Sequence, residues 1–501
     1  MIRFVKKYFV FIILSGLVVA YSILVFLSEG TIGGADDITH YRFSRYAFQN
    51  PYFFLHHWGK PFFTAISSPF AQFGYNGIRI FNVLAGTAAA YFTYRTAKMI
   101  RVNYPVVAIF MLISSPLYTV LMLSGMTEIL FSLVFILSIF LFYRKQYIWS
   151  AVILSFLPFV RTEGVVILPL FFLAFAWQKQ WKAIPFLLFG FVFYSIVGSF
   201  YFKDILWVIH EMPYKGNARE IYGSGELLHY VKESKYTFGL PLAVMLLAGV
   251  LVWLADPFRK EKKERKNWMM EMLIIYMPFF LYFAAHSYVW WKGAGNSIGM
   301  IRVIAAIVPA AALLGANAWG RLMEWTPMQK VWKEALTVVL CIFLVTVPHR
   351  VYEIPVGLVG TQKLTREASV WLKDSEYFEN RIIYYDPFFC FFMGLNPFDE
   401  ERVHEFVHDP DHPEFKLEDG EIVIWDAHFS PNEGRLPLEN LMDNQYFRLI
   451  HLTRDKVPFK VLGGYLYEIY FFQRISSDDG EDNHDIYQNL LNEILNTAPG
   501  H

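Results

Sequence analysis

A polytopic α-helical membrane protein with a small α/β domain at its C-terminal end is the fold class this sequence predicts, on three observations. Of its 501 residues, 55% are hydrophobic and 19% aromatic, and the mean hydropathy is +0.33. Only 18% are charged, against roughly 25% in a soluble domain. Apolar runs near the roughly 20 residues that cross a bilayer core recur up to about residue 349. Beyond residue 350 the pattern turns to short β-rich runs divided by polar stretches.

Eleven membrane segments are expected, at about 8–28, 77–97, 103–123, 127–143, 147–160, 163–178, 183–202, 237–255, 271–290, 300–319 and 333–349. The first follows Arg3, Lys6 and Lys7 but is too long for a signal-peptide core and lacks a small-residue cleavage site, so it reads as an uncleaved helix. The Lys and Arg of the short loops, Lys98, Arg101, Arg144, Lys145, Lys179, Lys182 and the run 259–266, fall on the N-terminal side, which makes that side cytoplasmic.

The organisation that follows is a membrane module, 1–349, with an outer loop at 29–76; an outer α/β domain, 350–475; and a flexible polar tail, 476–501. The outer loop mixes charge with aromatic residues, as in Tyr52-Phe53-Phe54-Leu55-His56-His57-Trp58, and suits helices lying at the membrane interface. In the outer domain 381–385, 421–425 and 464–472 read as strands and 364–374 as a helix.

Lys plus Arg and Asp plus Glu balance at 44 each, so no global field draws the chain to nucleic acid. Cys341 and Cys390 are its two cysteines, too few for a disulfide framework or a thiolate metal site. No Gly-rich phosphate loop, zinc-protease motif or nucleophile elbow occurs.

The strongest local signal is Gly33-Gly34-Ala35-Asp36-Asp37 after the first helix. Adjacent acids at a helix start are either caps, worth about 0.5–2 kcal/mol, or working carboxylates. Lys60, before Pro61, and Arg79 are cations on the outer side, against the charge rule; each is either a snorkelling anchor or a partner for a lipid-linked anion. Glu128, Arg161, Glu163, Lys292 and Arg302 fall at outer helix ends, where together they suggest one polar cavity. His40, His56 and His57 with the two acids offer a divalent-cation alternative, although their spacing matches no metal motif.

With these residues in place, the arrangement resembles the GT-C superfamily of membrane glycosyltransferases, in particular the family 39 branch of protein O-mannosyltransferases and aminoarabinose transferases. The likeness runs over about residues 1–350. It consists of one membrane helix, an outer acidic pair, a Lys-Pro, the segment Phe73-Gly74-Tyr75-Asn76-Gly77-Ile78-Arg79 and an acid opening a later helix. Arg161-Thr162-Glu163-Gly164 is similar to an Arg-Pro-Glu-Gly signature, with Thr162 in place of Pro, and Arg302 to a late-helix arginine. Gly59 stands where the aminoarabinose enzymes carry Glu, which argues against that sugar.

The resemblance implies an inverting glycosyltransferase that moves a sugar from a polyprenyl-phosphate donor to a hydroxyl of a lipid, glycan or protein at the outer face of a bacterial cytoplasmic membrane. Asp36 would be the base, with Asp37 in the place of the second acid. Lys60, Arg302 and Arg161 would hold the donor phosphate, supported by His40, Arg79, Glu128 and Glu163. No bound metal is implied at the site. The alternatives are a lipid-linked sugar flippase or transporter, which would favour repeated halves not found here, and a noncatalytic scaffold.

Overall fold

The computed structural model describes residues 2–213, 223–259, 262–294, 297–476 and 482–496. Residues 477–481 of the polar stretch 476–485, residues 260–261 of the basic run 259–266 and residues 497–501 of the expected tail lie outside them. The chain forms two compact units, Met1–Gly357 and Leu358–His501.

The first unit is helical. Among the described residues, four helices are long and apolar enough to cross a membrane: Tyr8–Leu27, Trp181–Phe202, Asn267–Lys292 and Ile301–Trp325. Shorter apolar helices are Glu128–Tyr143, Tyr147–Val160, Thr162–Trp177 and Gly239–Ala255. With exposed Phe, Leu, Ile and Val along Trp181–Phe202 and exposed Leu and Val along Gly239–Ala255, this is the surface of a multi-pass membrane protein, whose outer face meets lipid tails rather than water.

The expected segment 103–123 is not one helix. It breaks into Val107–Ile113 and Pro116–Met122, and no residue of the second is exposed. Ser114-Ser115-Pro116 is the cause: proline cannot donate in a helix interior but suits its first turn, and the Ser115 hydroxyl caps the new helix at the Tyr118 amide.

Between α1 (Ile2–Leu27) and α4 (Tyr75–Met99) lie two short helices, α2 (Ala35–Tyr46) and α3 (Pro61–Ala71). Gly34, at φ +61°, turns the chain into α2, a conformation that glycine adopts without steric cost. On α4, Arg79 and Asn82 lie one turn apart and share a face. Asn82 donates to the carbonyls of Ser124 (2.6 Å) and Met126 (2.8 Å). Arg79 donates to those of Leu123 (2.6 Å), Ser28 (2.8 Å) and Gly30 (2.6 Å). Together they fix the turn before Glu128 against the end of α1.

The second unit holds a five-stranded sheet in the order β2-β1-β3-β5-β4. β1 (Ile382–Tyr384) runs parallel to β2 (Val403–Glu405) and β3 (Ile422–Asp426), whereas β5 (Glu468–Arg474) is antiparallel to β3 and to β4 (Phe447–Arg454). β5 starts later than the run 464–472 suggests, because Gly463 and Gly464 both turn at φ +82°. The helix Gly360–Asp374 and the last helix, Asn483–Asn496, pack on the sheet. Two carboxylates are buried at neighbouring strand ends: Asp426 accepts from the amides of His428 and Phe429, and Asp386 from that of Phe388. Burial raises the pKa of both.

Candidate active site

The site forms where α2 begins. Asp36 and Asp37 are neighbours in its first turn, about 100° apart around the axis, and no side chain caps the helix at Gly34. The capping alternative is therefore not what the two acids do. Each reaches across to another segment.

Asp36 pairs with Arg302, which comes from the 3₁₀ turn Ile301–Ile307 and also donates to the Gly33 carbonyl at 3.1 Å. The Arg302 Nε lies 3.7 Å from Glu128, at the N-terminus of Glu128–Tyr143. Glu128 is completely buried and accepts from Arg161 at 2.8 Å. Arg161 sits in extended backbone at the break between Leu157–Val160 and Thr162–Ile167. It donates with the same Nη1 to the Thr127 hydroxyl (3.1 Å) and with Nη2 to Glu163 (3.0 Å). The Nε2 of His286 lies 3.9 Å from Glu163. One line of charge thus joins Asp36, Arg302, Glu128, Arg161 and Glu163, gathered from four distant parts of the chain.

Lys60 enters from α3. It stands at φ +63° immediately before Pro61, a left-handed conformation that costs a non-glycine residue of order 1–3 kcal/mol. Its side chain is buried, and its charge interacts with Glu163, Arg161, Asp36 and Glu128. Burial lowers its pKa to about 8, with Arg161 acting in the same direction and the three carboxylates resisting.

His40 packs its ring on Trp58 (4.9 Å) and edge-on to Phe63 (5.5 Å). Burial, then the charges of Lys60, Arg161 and Arg302, hold it well below the usual imidazole range, so it is a neutral wall residue. His56 stacks on Phe43 and His57 packs against Trp207. Among the described residues no three His, Cys, Asp or Glu side chains converge as a metal ion would require, so the divalent-cation alternative finds no donor set.

Asp37 belongs elsewhere. It is fully buried and accepts from the Gly125 amide (2.6 Å), the Tyr75 hydroxyl (2.9 Å) and the Thr31 hydroxyl. Burial lifts its pKa to about 6 against the pull of Arg79. Arg79 is 1% exposed and is taken up by the carbonyls already described, with its guanidinium 4.8 Å over Tyr75. A Cβ at Gly33 would come 2.6 Å from the Asp37 Cβ, and one at Gly125 would come 2.7 Å from its carboxylate. Both glycines are needed for this approach.

Sequence reasoning missed His286 and Thr127. The signal for His286 was present: an ionisable residue inside an apolar run, Phe283-Ala284-Ala285-His286, is a functional pointer. Lys292, by contrast, lies over the Trp291 ring at 3.7 Å.

No protein-family model matches this sequence, and no curated protein does either. Solved structures do match in shape. ArnT from Cupriavidus metallidurans bound to undecaprenyl phosphate superposes with a TM-score of 0.55 at 11% identity, over 94% of this chain and 99% of that one. Its apo state gives 0.54 at 12%, over 91% and 97%. The oligosaccharyltransferase of Archaeoglobus fulgidus, tethered to an acceptor peptide, gives 0.50 at 11%, over 90% and 80%. The chain has the GT-C fold. At these identities the likeness concerns the fold, and the site must be argued from its own residues.

Proposed function

We propose that this GT-C chain is an inverting glycosyltransferase that uses a polyprenyl-phosphate sugar and works at the outer face of a bacterial cytoplasmic membrane. One observation carries the reading: Asp36, the more accessible end of the charge line, pairs with Arg302 and feels the charge of Lys60, in a fold shared with a protein crystallised with undecaprenyl phosphate. Asp36 takes the proton of an acceptor hydroxyl as its oxygen attacks the anomeric carbon. The bond from that carbon to the phosphate oxygen breaks, and its electron pair leaves with the lipid phosphate. Lys60 and Arg302, with Arg161 behind them, meet the departing charge, as preorganised cations do most effectively in a water-poor site. Attack opposite the leaving group inverts the anomeric centre. Glu128 and Glu163 orient Arg161, His40 walls the cavity, and Asp37 with Arg79 holds the turn that carries Asp36.

The acceptor is a hydroxyl of a lipid, glycan or protein, and the polyprenyl chain lies among membrane lipids. Purified protein given a polyprenyl-phosphate sugar should release polyprenyl phosphate in step with glycosylated product of inverted configuration. Movement of the intact lipid-linked sugar across a vesicle bilayer without bond cleavage would replace this reading with the flippase one. Sidedness has its own test. Both native cysteines are buried, so Gln49→Cys, at an exposed position between α2 and α3, should label with an impermeant maleimide in intact cells. Labelling only after permeabilisation would refute the outer-face mechanism.

A further inference from the structure

We infer that Asp36 and the phosphate of the donor compete for Arg302, so that donor binding itself strips the base of its cation; this rests on the glycosyltransferase reading. Among the described residues the cluster holds three cations, Lys60, Arg161 and Arg302, and three carboxylates, Asp36, Glu128 and Glu163. The sum is zero. An anion entering a largely buried, balanced cluster must take a cation from a carboxylate already present, because uncompensated charge is costly away from water.

Arg161 is not the one to yield. It is held by Glu128, Glu163 and Thr127 at 2.8, 3.0 and 3.1 Å, and Glu128 cannot turn to solvent because it is 0% exposed. Arg302 is tied more loosely. Its hydrogen bonds run to one carboxylate and one carbonyl, and its buried Nε has no hydrogen-bond partner, standing 3.7 Å from Glu128. Its carboxylate partner, Asp36, is 35% exposed and can be rehydrated when released. A phosphate offers Arg302 a bidentate, more highly charged partner, and the buried Nε without a hydrogen bond is a further donor that a ligand reaching it would satisfy.

The exchange has a chemical consequence. A carboxylate oxygen taken up by a guanidinium is not free to accept the hydrogen bond of an incoming hydroxyl. Once Arg302 turns to the phosphate, the Asp36 carboxylate is free to accept the acceptor hydroxyl at the moment the electrophile is in place. In the transfer that follows, the acceptor proton goes to Asp36, the acceptor oxygen bonds to the anomeric carbon, and the carbon–oxygen bond to phosphate breaks toward the cations. Arg302 therefore acts at both ends of the reaction, masking the base and receiving the leaving group.

The test is a binding measurement with an outcome opposite to ordinary expectation. Full-length protein in nanodiscs is titrated with undecaprenyl phosphate, with undecaprenol and with inorganic phosphate. Asp36→Asn, which keeps the shape but leaves Arg302 to the ligand, should bind undecaprenyl phosphate about tenfold tighter than the parent, the scale of one charge-assisted hydrogen bond. Undecaprenol should bind both alike. Tightening seen equally with inorganic phosphate assigns the site to the phosphate alone, and tightening seen only with the lipid assigns it to lipid phosphate; either supports the exchange. Arg302→Gln should weaken binding, and Asp36→Asn should no longer tighten it in that background. A carbodiimide footprint on the parent gives a second readout, in which Asp36 should become more reactive as undecaprenyl phosphate is added. Equal or weaker binding by Asp36→Asn, with Arg302→Gln still weakened, overturns the exchange and leaves the glycosyltransferase reading standing. Failure of the parent and every variant to bind the lipid phosphate overturns both.

Discussion

Two polar networks begin at adjacent residues and differ in what they leave open. The network of Asp36 runs through Arg302, Glu128, Arg161 and Glu163, and it keeps a half-buried carboxylate and buried atoms without hydrogen bonds: Glu128 Oε2, Arg161 Nε and Arg302 Nε. The network of Asp37 closes on itself through Thr31, Tyr75 and the Gly125 amide, beside an Arg79 taken up by backbone carbonyls. Buried polar groups in folded proteins are nearly always satisfied. Incompleteness on one side of a helix turn and closure on the other separates the proposed reaction centre from the network that holds the turn still.

That contrast is open to direct attack. The largest expected effect is on Asp36→Asn, which should lose about 10²- to 10⁴-fold in transfer rate, the usual contribution of a positioned base, with its melting temperature in detergent unchanged. A variant that melts early but turns over normally would exchange the roles of the two acids.

Next comes Asp37→Ala, which strands three donors; each buried one costs roughly 1–3 kcal/mol, so its melting temperature should fall by several degrees. Asp37→Asn sharpens the point. Burial raises the Asp37 pKa from 3.8 to about 6, so the folded state binds the proton more tightly than the unfolded chain. Stability should then decline as pH rises from about 4 through 6, and the amide should flatten that decline in a pH series of unfolding curves.

A smaller loss is expected of Gly125→Ala, whose methyl would press on the Asp37 carboxylate. It should lower the melting temperature and leave the rate per folded molecule near that of the parent. The smallest effect belongs to Asp386→Asn, outside both networks. With its carboxyl held above the usual range by burial and by Asp426, this variant should melt slightly higher at pH 8 than the parent, show less gain at pH 5, and transfer sugar at the parental rate.

Much of this site was legible in residue types. Ionisable side chains are so unfavourable in apolar surroundings that Glu128, Arg161, Glu163 and Arg302 stand out from the runs around them, and the structure brings all four together. Composition could not say which of two adjacent acids faces them, because that depends on where α2 starts and how Gly33-Gly34 aims it. Nor could it say that Arg79 serves backbone carbonyls, since a cation at a helix mouth looks the same whether its partner is a ligand or a loop. The break at Pro116 was written as Ser-Ser-Pro and was hidden by the hydropathy of its neighbours. β4 escaped notice although Phe447-Arg448-Leu449-Ile450 begins an alternating pattern, because its bulge between Leu449 and His451 spoils the period.

The wide sequence spacing of the charge line also sets a schedule for biogenesis. Glu128 leaves the ribosome 33 residues before Arg161, and Asp36 leaves 266 residues before Arg302. At about 5–20 residues per second the first gap lasts about 2–7 s and the second about 13–53 s. Glu128 must therefore wait at the insertion machinery for its arginine, which favours lateral release of that helix together with the segment carrying Arg161. Asp36 waits until most of the unit has been made. A chain truncated before residue 302 would leave Asp36 without the guanidinium that pairs with it.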